Sequence, residues 1–158
     1  MFRKLLTTRS LCLSALIAAL YAALTLLLAP ISYGSLQCRI SEAMTVLPIL
    51  LPQAIPGLFV GCLIANLYTG LITDILFGSL ATLLAALGTY LLRKRPLLAA
   101  LCPVAANGVI VGLVLSISQG LPRWLTMLEV AAGEVAAVAL GMLILLPVLR
   151  RIDLTHYR

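Results

Sequence analysis

Four acidic residues lie within or beside long apolar stretches of the chain, where an ionised side chain is costly. They are Glu42, Asp74, Glu129 and Glu134. An ionisable group inside a membrane is usually turned toward protein, paired or functional. A carboxylate can accept two parallel N–H bonds from an amidine-like edge, as it does from arginine. The four carboxylates therefore predict a pocket for a ligand rich in N–H groups, or for a cation.

Other polar and aromatic residues could line the same pocket as these carboxylates. Arg39 precedes Glu42 by three positions, two amides lie inside apolar runs, and the ring of Phe77 could stack on a flat ligand. For Tyr68 and Trp124, an interfacial aromatic belt is the better explanation. The candidate ligand-contacting residues are Arg39, Glu42, Asn66, Asp74, Phe77, Asn107, Glu129 and Glu134.

An internal ion-pair network is the alternative explanation for the charged residues. Arg39 could pair with Glu42, and Arg123 with Glu129. Two arginines facing four carboxylates leave a surplus, however, so the network alone does not account for Asp74 and Glu134. A ligand that supplies the missing donors explains the surplus better.

The sequence shows no pattern typical of an enzyme. It contains no nucleophile–base constellation, no H-E-x-x-H, no Walker A motif and no G-x-G-x-x-G. Its four cysteines are far apart and show no C-x-x-C spacing, which predicts neither a metal site nor a disulfide framework. We expect no catalytic residue and no cofactor, and ATP-driven transport would need a partner.

The composition indicates an all-α integral membrane protein. Of the 158 residues, 63% are hydrophobic and 10% are charged, and the mean hydropathy is +1.16. A soluble domain of this length could not hide so much apolar surface. The net charge of +6 comes from basic residues clustered at the ends of apolar runs. That placement indicates membrane orientation rather than nucleic-acid binding.

Six helices are predicted, at residues 11–29, 42–52, 56–69, 71–92, 96–117 and 124–149. The stretch 42–69 is too short for two full spans and long for one. If it turns at 52–57, nine of the eleven Lys and Arg residues fall on one side and only Arg39 and Arg123 on the other. Cytoplasmic loops are enriched in basic residues, so the chain is predicted to cross six times with both termini cytoplasmic.

The second and third predicted helices are short and contain prolines. Such interrupted spans often line a substrate cavity, although a tilted, packed hairpin would explain them equally well. In the first helix, Ala15, Ala19 and Ala23 recur every four residues. Small residues at this spacing let two helices approach closely in lipid. The stripe therefore predicts either docking of a partner or packing within the chain.

Two segments resemble the QueT family of substrate-binding S-components of energy-coupling factor (ECF) transporters. They are CRISEAMTVLPILLPQAIPGLFVGCLIANLYTG at 38–70 and TDILFGSLATLLAALGTYLLRK at 73–94. The most specific motifs are R-I-S-E-A, A-I-P-G-L-F-x-G-C and F-G-S-L-A-T-L. The resemblance covers nearly the whole chain and implies a six-helix protein of the prokaryotic cell membrane.

The resemblance also implies a function. S-components capture a vitamin-like molecule on the outer side and dock on a module of two ATPases and a transmembrane scaffold protein. Ala15, Ala19 and Ala23 would face that scaffold, and the loop 31–41 would cover the pocket. The implied ligand is a queuosine precursor, a 7-deazaguanine such as preQ0, preQ1 or queuine. An S-component for another flat vitamin-like heterocycle, or a structural membrane protein, remains an alternative.

Overall fold

The computed structural model describes residues 7–32 and 39–152. All regular secondary structure in these two ranges is helical. The elements are α1 (Thr8–Leu27), α2 (Ala29–Ser32), a 3₁₀ helix (Ile40–Ile49), α3 (Ala54–Leu67), a π-helical turn (Asp74–Gly78) continuing into α4 (Ser79–Leu91), α5 (Pro96–Gln119), α6 (Arg123–Leu140), a second π-helical turn (Gly141–Leu145) and α7 (Leu146–Arg150).

Four helical stretches are long and apolar enough to cross a membrane: Thr8–Leu27, Asp74–Leu91, Pro96–Gln119 and Arg123–Arg150. The 3₁₀ helix and α3 are also apolar but have only 10 and 14 residues. The predicted all-α class is confirmed, whereas the count of six crossings stays a prediction. The termini that were predicted to be cytoplasmic, at 1–6 and 153–158, and positions 33–38 of the predicted covering loop lie outside the described residues.

Local sequence signals set the ends of two of the long helices. Thr7 caps α1 by accepting a hydrogen bond at its side chain from the Ser10 amide, which satisfies a backbone donor that has no partner within the helix. Gly120 ends α5 with a φ of 67°, a left-handed conformation that glycine adopts without steric cost. Pro122 ends the short connection and is the N-cap residue of α6.

The 3₁₀ helix lies at the centre of the bundle. It contacts α1, α3, α4, α5, α6 and the second π-helical turn, while the outer helices pack in the order α1–α3–α4–α5–α6. All residues from Ser41 to Ile49 are buried. The five outer helices therefore form an open ring around the 3₁₀ helix, and the opening lies between α1 and α6, where an apolar groove separates them.

The 3₁₀ geometry lengthens this central element. At about 2.0 Å per residue, ten residues reach ~20 Å, against ~15 Å in an α-helix. Runs of 3₁₀ helix longer than three or four residues are uncommon, so the surrounding helices must hold it. Pro48 has no backbone N–H to donate within the helix. The Thr45 hydroxyl donates a hydrogen bond of 2.6 Å to the backbone carbonyl oxygen of Glu42.

Small residues bring α1 and α3 into close contact. A Cβ atom at Gly57 would lie 2.7 Å from the Ser14 carbonyl oxygen, and one at Gly61 would lie 2.8 Å from that of Ala18. The Ser14 hydroxyl also donates to the Gln53 carbonyl oxygen at 2.9 Å. The small face of α1 that packs within the chain is thus Ser14 and Ala18. The stripe of Ala15, Ala19 and Ala23 is exposed.

The turn between the 3₁₀ helix and α3 lies at the same end of the bundle as basic residues of the later helices. Pro52 in this turn lines a cavity together with Arg93, which follows α4, and Arg150, which ends α7. The contact between Ser14 and Gln53 places the start of α1 at this end too. We call it the basic end. Arg39 and the start of the 3₁₀ helix lie at the opposite end.

The close contact between α1 and α3 can be tested with Gly61→Val. Because the added side chain meets the α1 backbone, we expect a loss of about 1–3 kcal/mol in the free energy of unfolding. The matched control is Val60→Leu, which adds a methylene at an exposed position of the same helix and should have little effect. Detergent-solubilised variants would be unfolded with SDS and followed by far-UV circular dichroism. Equal midpoints for both variants would contradict the packing described.

Candidate functional site

Glu42 lies at the end of the bundle opposite the basic end. With Arg39, Asn107 and Glu134 it forms what we call the polar cluster. Its side chain is 1% exposed, and its Oε1 atom accepts a hydrogen bond from the hydroxyl of Tyr21 on α1. Nearby, the hydroxyls of Thr25 and Ser41 share a hydrogen bond of 2.7 Å. In the part of the chain that the structure describes, the Oε2 atom of Glu42 has no hydrogen-bond partner. It is a buried acceptor that a ligand donor could satisfy.

Glu134, on α6, is the second buried carboxylate, with 6% of its surface exposed. The amide nitrogen of Asn107 on α5 donates to its Oε1 atom at 2.7 Å. Within residues 7–32 and 39–152, neither Glu134 Oε2 nor Asn107 Oδ1 has a hydrogen-bond partner. Glu42 and Glu134 therefore each retain one unsatisfied oxygen in a buried environment, where such an atom is costly.

The two carboxylates face one small cavity. It is lined by Arg39, Glu42, Asn107, Val111, Val130 and Glu134, and its volume is about 10 Å³. A second cavity of about 10 Å³ adjoins Arg39, Asp74 and Gly78. Each has room for about one water molecule, and we call them together the polar cavities. They are much too small for a heterocycle, so ligand entry requires the surrounding helices to separate.

Arg39 links the two polar cavities. Its side chain is 8% exposed and interacts electrostatically with Glu42, Asp74 and Glu134. Three acidic groups thus lie within electrostatic range of one guanidinium, which agrees with the predicted surplus of carboxylates over arginines. The arrangement can accept additional N–H donors or one more positive charge.

Asn66, on α3, holds the first π-helical turn in place. Its side chain is fully buried, and its amide nitrogen donates to the Asp74 carbonyl oxygen at 3.1 Å and to the Cys62 sulfur at 3.3 Å. A Cβ atom at Gly78 would lie 2.8 Å from this nitrogen, so a larger residue there would displace the Asn66 amide. π-helical turns often occur at functional sites. Asn66 was predicted to contact ligand, which stays a prediction, and its bond to the Asp74 carbonyl oxygen holds Asp74 at the second cavity.

Two predicted site residues lie away from the polar cavities. Phe77 is 47% exposed, and Glu129 is half-buried on α6. Among the described residues that line the two cavities, neither is present. Their contact with a ligand stays a prediction without a cavity beside them.

The sequence reasoning missed two residues next to Glu42. Tyr21 is fully buried and donates to Glu42. Thr82 on α4 is buried beside Glu42 and Cys62, and its hydroxyl donates to the Cys62 sulfur at 3.2 Å. A signal for Tyr21 was available: Tyr21 and Thr25 are polar at i, i+4 in an apolar helix, which places both on one inward-facing side. Thr82 has no comparable signal, because small hydroxyl residues are common in membrane helices.

Comparison with known proteins agrees with the apolar helices and the buried polar cluster. The QueT transporter family matches residues 11–150 of this chain. The queuosine precursor transporter QueT of Lactococcus lactis subsp. cremoris (strain MG1363) is 29% identical over 158 positions, covering 90% of this chain and 93% of that protein. No solved structure matches significantly. The chain, a multi-pass protein of a prokaryotic cell membrane, belongs to the QueT transporter family.

Proposed function

We propose that this chain is the substrate-binding subunit of an ECF-type importer and that it captures a queuosine precursor. The family and the name of the relative support the transport of such a compound. The observation that carries the proposal is the pair of buried carboxylates, Glu42 and Glu134, each with an unsatisfied oxygen beside one cavity. Residues buried in this way are expensive in a membrane unless they are paired or functional.

The chemistry of a 7-deazaguanine fits these acceptors. Its guanine-like edge presents N1–H and an exocyclic amine, which can donate two parallel hydrogen bonds to a carboxylate. The aminomethyl cation of preQ1 would then pair with a second acidic group. Glu42 and Glu134 are the nearest candidates for the two roles, with Asp74 across Arg39 as a third. The side-chain oxygen Oδ1 of Asn107 offers a further acceptor.

Capture also requires a pocket larger than the polar cavities. Small-molecule sites usually enclose about 300–1,000 Å³, so ligand binding requires the helices around the polar cavities to separate. The ring of outer helices is open between α1 and α6, and π-helical turns interrupt the regular hydrogen bonding of the stretches Asp74–Leu91 and Arg123–Arg150. These features allow the walls to move. The loop 31–41 is proposed to cover the ligand.

Docking on partner subunits is the second part of the proposal. The chain is proposed to bind a transmembrane scaffold protein that carries two ATPases. The stripe of Ala15, Ala19 and Ala23 is exposed on α1, while the neighbouring small residues Ser14 and Ala18 pack against α3. The stripe therefore remains accessible for close approach of a partner helix.

We also propose that the chain crosses the membrane six times, with both termini in the cytoplasm. The hairpin turn near Pro52 shares the basic end with Arg93 and Arg150, as expected if this end is cytoplasmic. The polar cavities at the other end would then open outward, toward the incoming ligand. A structural membrane protein is the alternative from another class, and an S-component for a different flat vitamin is the alternative within this one.

Ligand binding can be tested with Glu42→Gln and Glu134→Gln. Because each variant removes the charge of one acceptor, we expect preQ1 affinity to fall about 10- to 100-fold while the fold is retained. The matched control is Lys94→Gln, which removes an exposed charge at the basic end, away from the polar cavities. Isothermal titration calorimetry on the purified proteins would measure affinity, and far-UV circular dichroism would check the fold.

The same proteins distinguish the alternatives. Unfolding of Glu134→Gln, with no preQ1 binding by the unmodified chain, would support a structural role. Thermal stabilisation of the unmodified chain by riboflavin or biotin, without any response to 7-deazaguanines, would overturn the proposed substrate class but leave the S-component assignment standing.

Docking can be tested with Ala19→Leu. Because the larger side chain keeps a partner helix from approaching closely, we expect co-purification with the scaffold protein to fall several-fold. The matched control is Ala105→Leu, an exposed position on α5 that should leave co-purification unchanged. preQ1 binding should persist in both variants, and equal co-purification of the two would exclude the stripe as the docking face.

Membrane orientation can be tested by labelling single cysteines. Lys94→Cys at the basic end and Leu121→Cys between α5 and α6 would be introduced after Cys12, Cys38, Cys62 and Cys102 are replaced by alanine. We expect a membrane-impermeant maleimide to label position 121 in intact cells and position 94 only after permeabilisation. Labelling of both positions in intact cells would contradict the six-crossing topology.

A further inference from the structure

Two large cavities lie outside the proposed ligand site. The first is an apolar groove of about 480 Å³ between α1 and the α6–α7 stretch, floored by the 3₁₀ helix. Its lining is wholly apolar and includes Leu16, Leu20, Met44, Leu47, Leu140 and Ile144. We call it the α1–α6 groove. It occupies the opening of the outer ring between α1 and α6, beside the 3₁₀ helix.

The second is a cavity of about 370 Å³ at the basic end, lined by Ile49, Leu50, Pro52, Tyr90, Arg93 and Arg150. We call it the basic cavity. The guanidinium of Arg93 lies 4.0 Å from the centroid of the Tyr90 ring and donates to the Tyr90 carbonyl oxygen at 3.2 Å. Arg93 is therefore held at the cavity wall rather than extended into solvent. Both arginines are exposed, so their remaining N–H groups can reach an anion.

Consecutive residues of the chain line the two cavities, although no described residue lines both. Leu50 lines the basic cavity and Leu51 lines the groove, while Leu149 lines the groove and Arg150 lines the basic cavity. A hydrocarbon-lined groove thus leads to a pair of guanidinium groups at one end of the bundle. A ligand that fills both must have an anionic group joined to a long apolar chain.

We propose that this composite surface binds an anionic phospholipid, with its phosphate group at Arg93 and Arg150 and an acyl chain in the α1–α6 groove. Basic pockets between membrane helices are known to take lipid head groups, and arginine recognises phosphate with two parallel hydrogen bonds. The volume of each cavity lies in the about 300–1,000 Å³ range of small-molecule sites. An acyl chain in the groove closes the opening of the outer ring beside the 3₁₀ helix.

The charge distribution favours a lipid over other occupants. Every described residue that lines the groove is apolar, which suits hydrocarbon and offers a soluble anion nothing to bind. Lys94, Arg95 and Arg151 are exposed beside the two arginines and add to the attraction for an anionic leaflet. The site is separate from the polar cavities and does not depend on the identity of the transported compound.

The head-group contact can be tested by native mass spectrometry of the full chain in mixed micelles. The micelles would contain palmitoyl-oleoyl phosphatidylglycerol, palmitoyl-oleoyl phosphatidylcholine, or no lipid with added sn-glycerol 3-phosphate. We expect retained phosphatidylglycerol to fall about fivefold for each of Arg93→Gln and Arg150→Gln. The matched controls, Lys94→Gln and Arg151→Gln, should retain it, since neither residue lines the basic cavity.

The acyl-chain contact is tested with a second pair of variants. Ile144→Trp fills the groove and should reduce retention of phosphatidylglycerol several-fold. Leu143→Trp, at the neighbouring position that is 77% exposed and outside the groove, should not. Equal losses in each variant and its control, or equal retention of phosphatidylcholine, would overturn the proposal. Binding of glycerol 3-phosphate as strong as that of the lipid would show a soluble-anion site instead.

Discussion

The hydrogen bond from Tyr21 to Glu42 joins α1 to the start of the 3₁₀ helix, deep in protein rather than in lipid. A carboxylate at this depth has to be surrounded by donors or by other protein groups, because hydrocarbon solvates it poorly. The open ring of five helices meets that requirement. Glu42 is therefore shielded by α1, α4, α5 and α6, and the same shielding makes every position of the 3₁₀ helix from Ser41 to Ile49 buried.

Small residues make this enclosure possible. Gly57 and Gly61 let α3 contact the backbone of α1, and a Cβ atom at Gly141 would overlap the Ala43 carbonyl oxygen. The contact at Gly141 fixes the stretch Arg123–Arg150 against the 3₁₀ helix, two helical turns from Glu134. Since Ala43 is next to Glu42, the packing contact and the polar cluster are mechanically linked. A change in the separation of these helices changes the distance between the two carboxylates.

The sequence predicted the helical class and most of the polar cluster, because charged and amide side chains are rare in this chain and membrane helices must turn them inward. Arg39, Glu42, Asn107 and Glu134 do meet at one cavity. The rotation of each helix was harder to predict, since helices that are apolar on all sides carry little directional pattern. The π-helical turn at Asp74–Gly78 also shifts the helical phase locally, and Phe77 lies at an exposed position. The 3₁₀ geometry of Ile40–Ile49 could not be predicted, because it results from the surrounding helices rather than from local propensity.

The charged residues are divided between the two ends of the bundle. Of the described charged residues, the buried ones gather at the end with the polar cavities, where Arg39 lies among Glu42, Asp74 and Glu134. The exposed arginines and lysine at 93–95 and 150–151 gather at the other end, where water and lipid head groups can solvate them. The part of the bundle between the two ends is nearly all apolar. The 3₁₀ helix extends along it with only ten residues, because its rise per residue is larger than that of an α-helix. Because the ring around that helix is incomplete between α1 and α6, its apolar side chains meet whatever fills the groove, so lipid packing there acts on the same helix that carries Glu42.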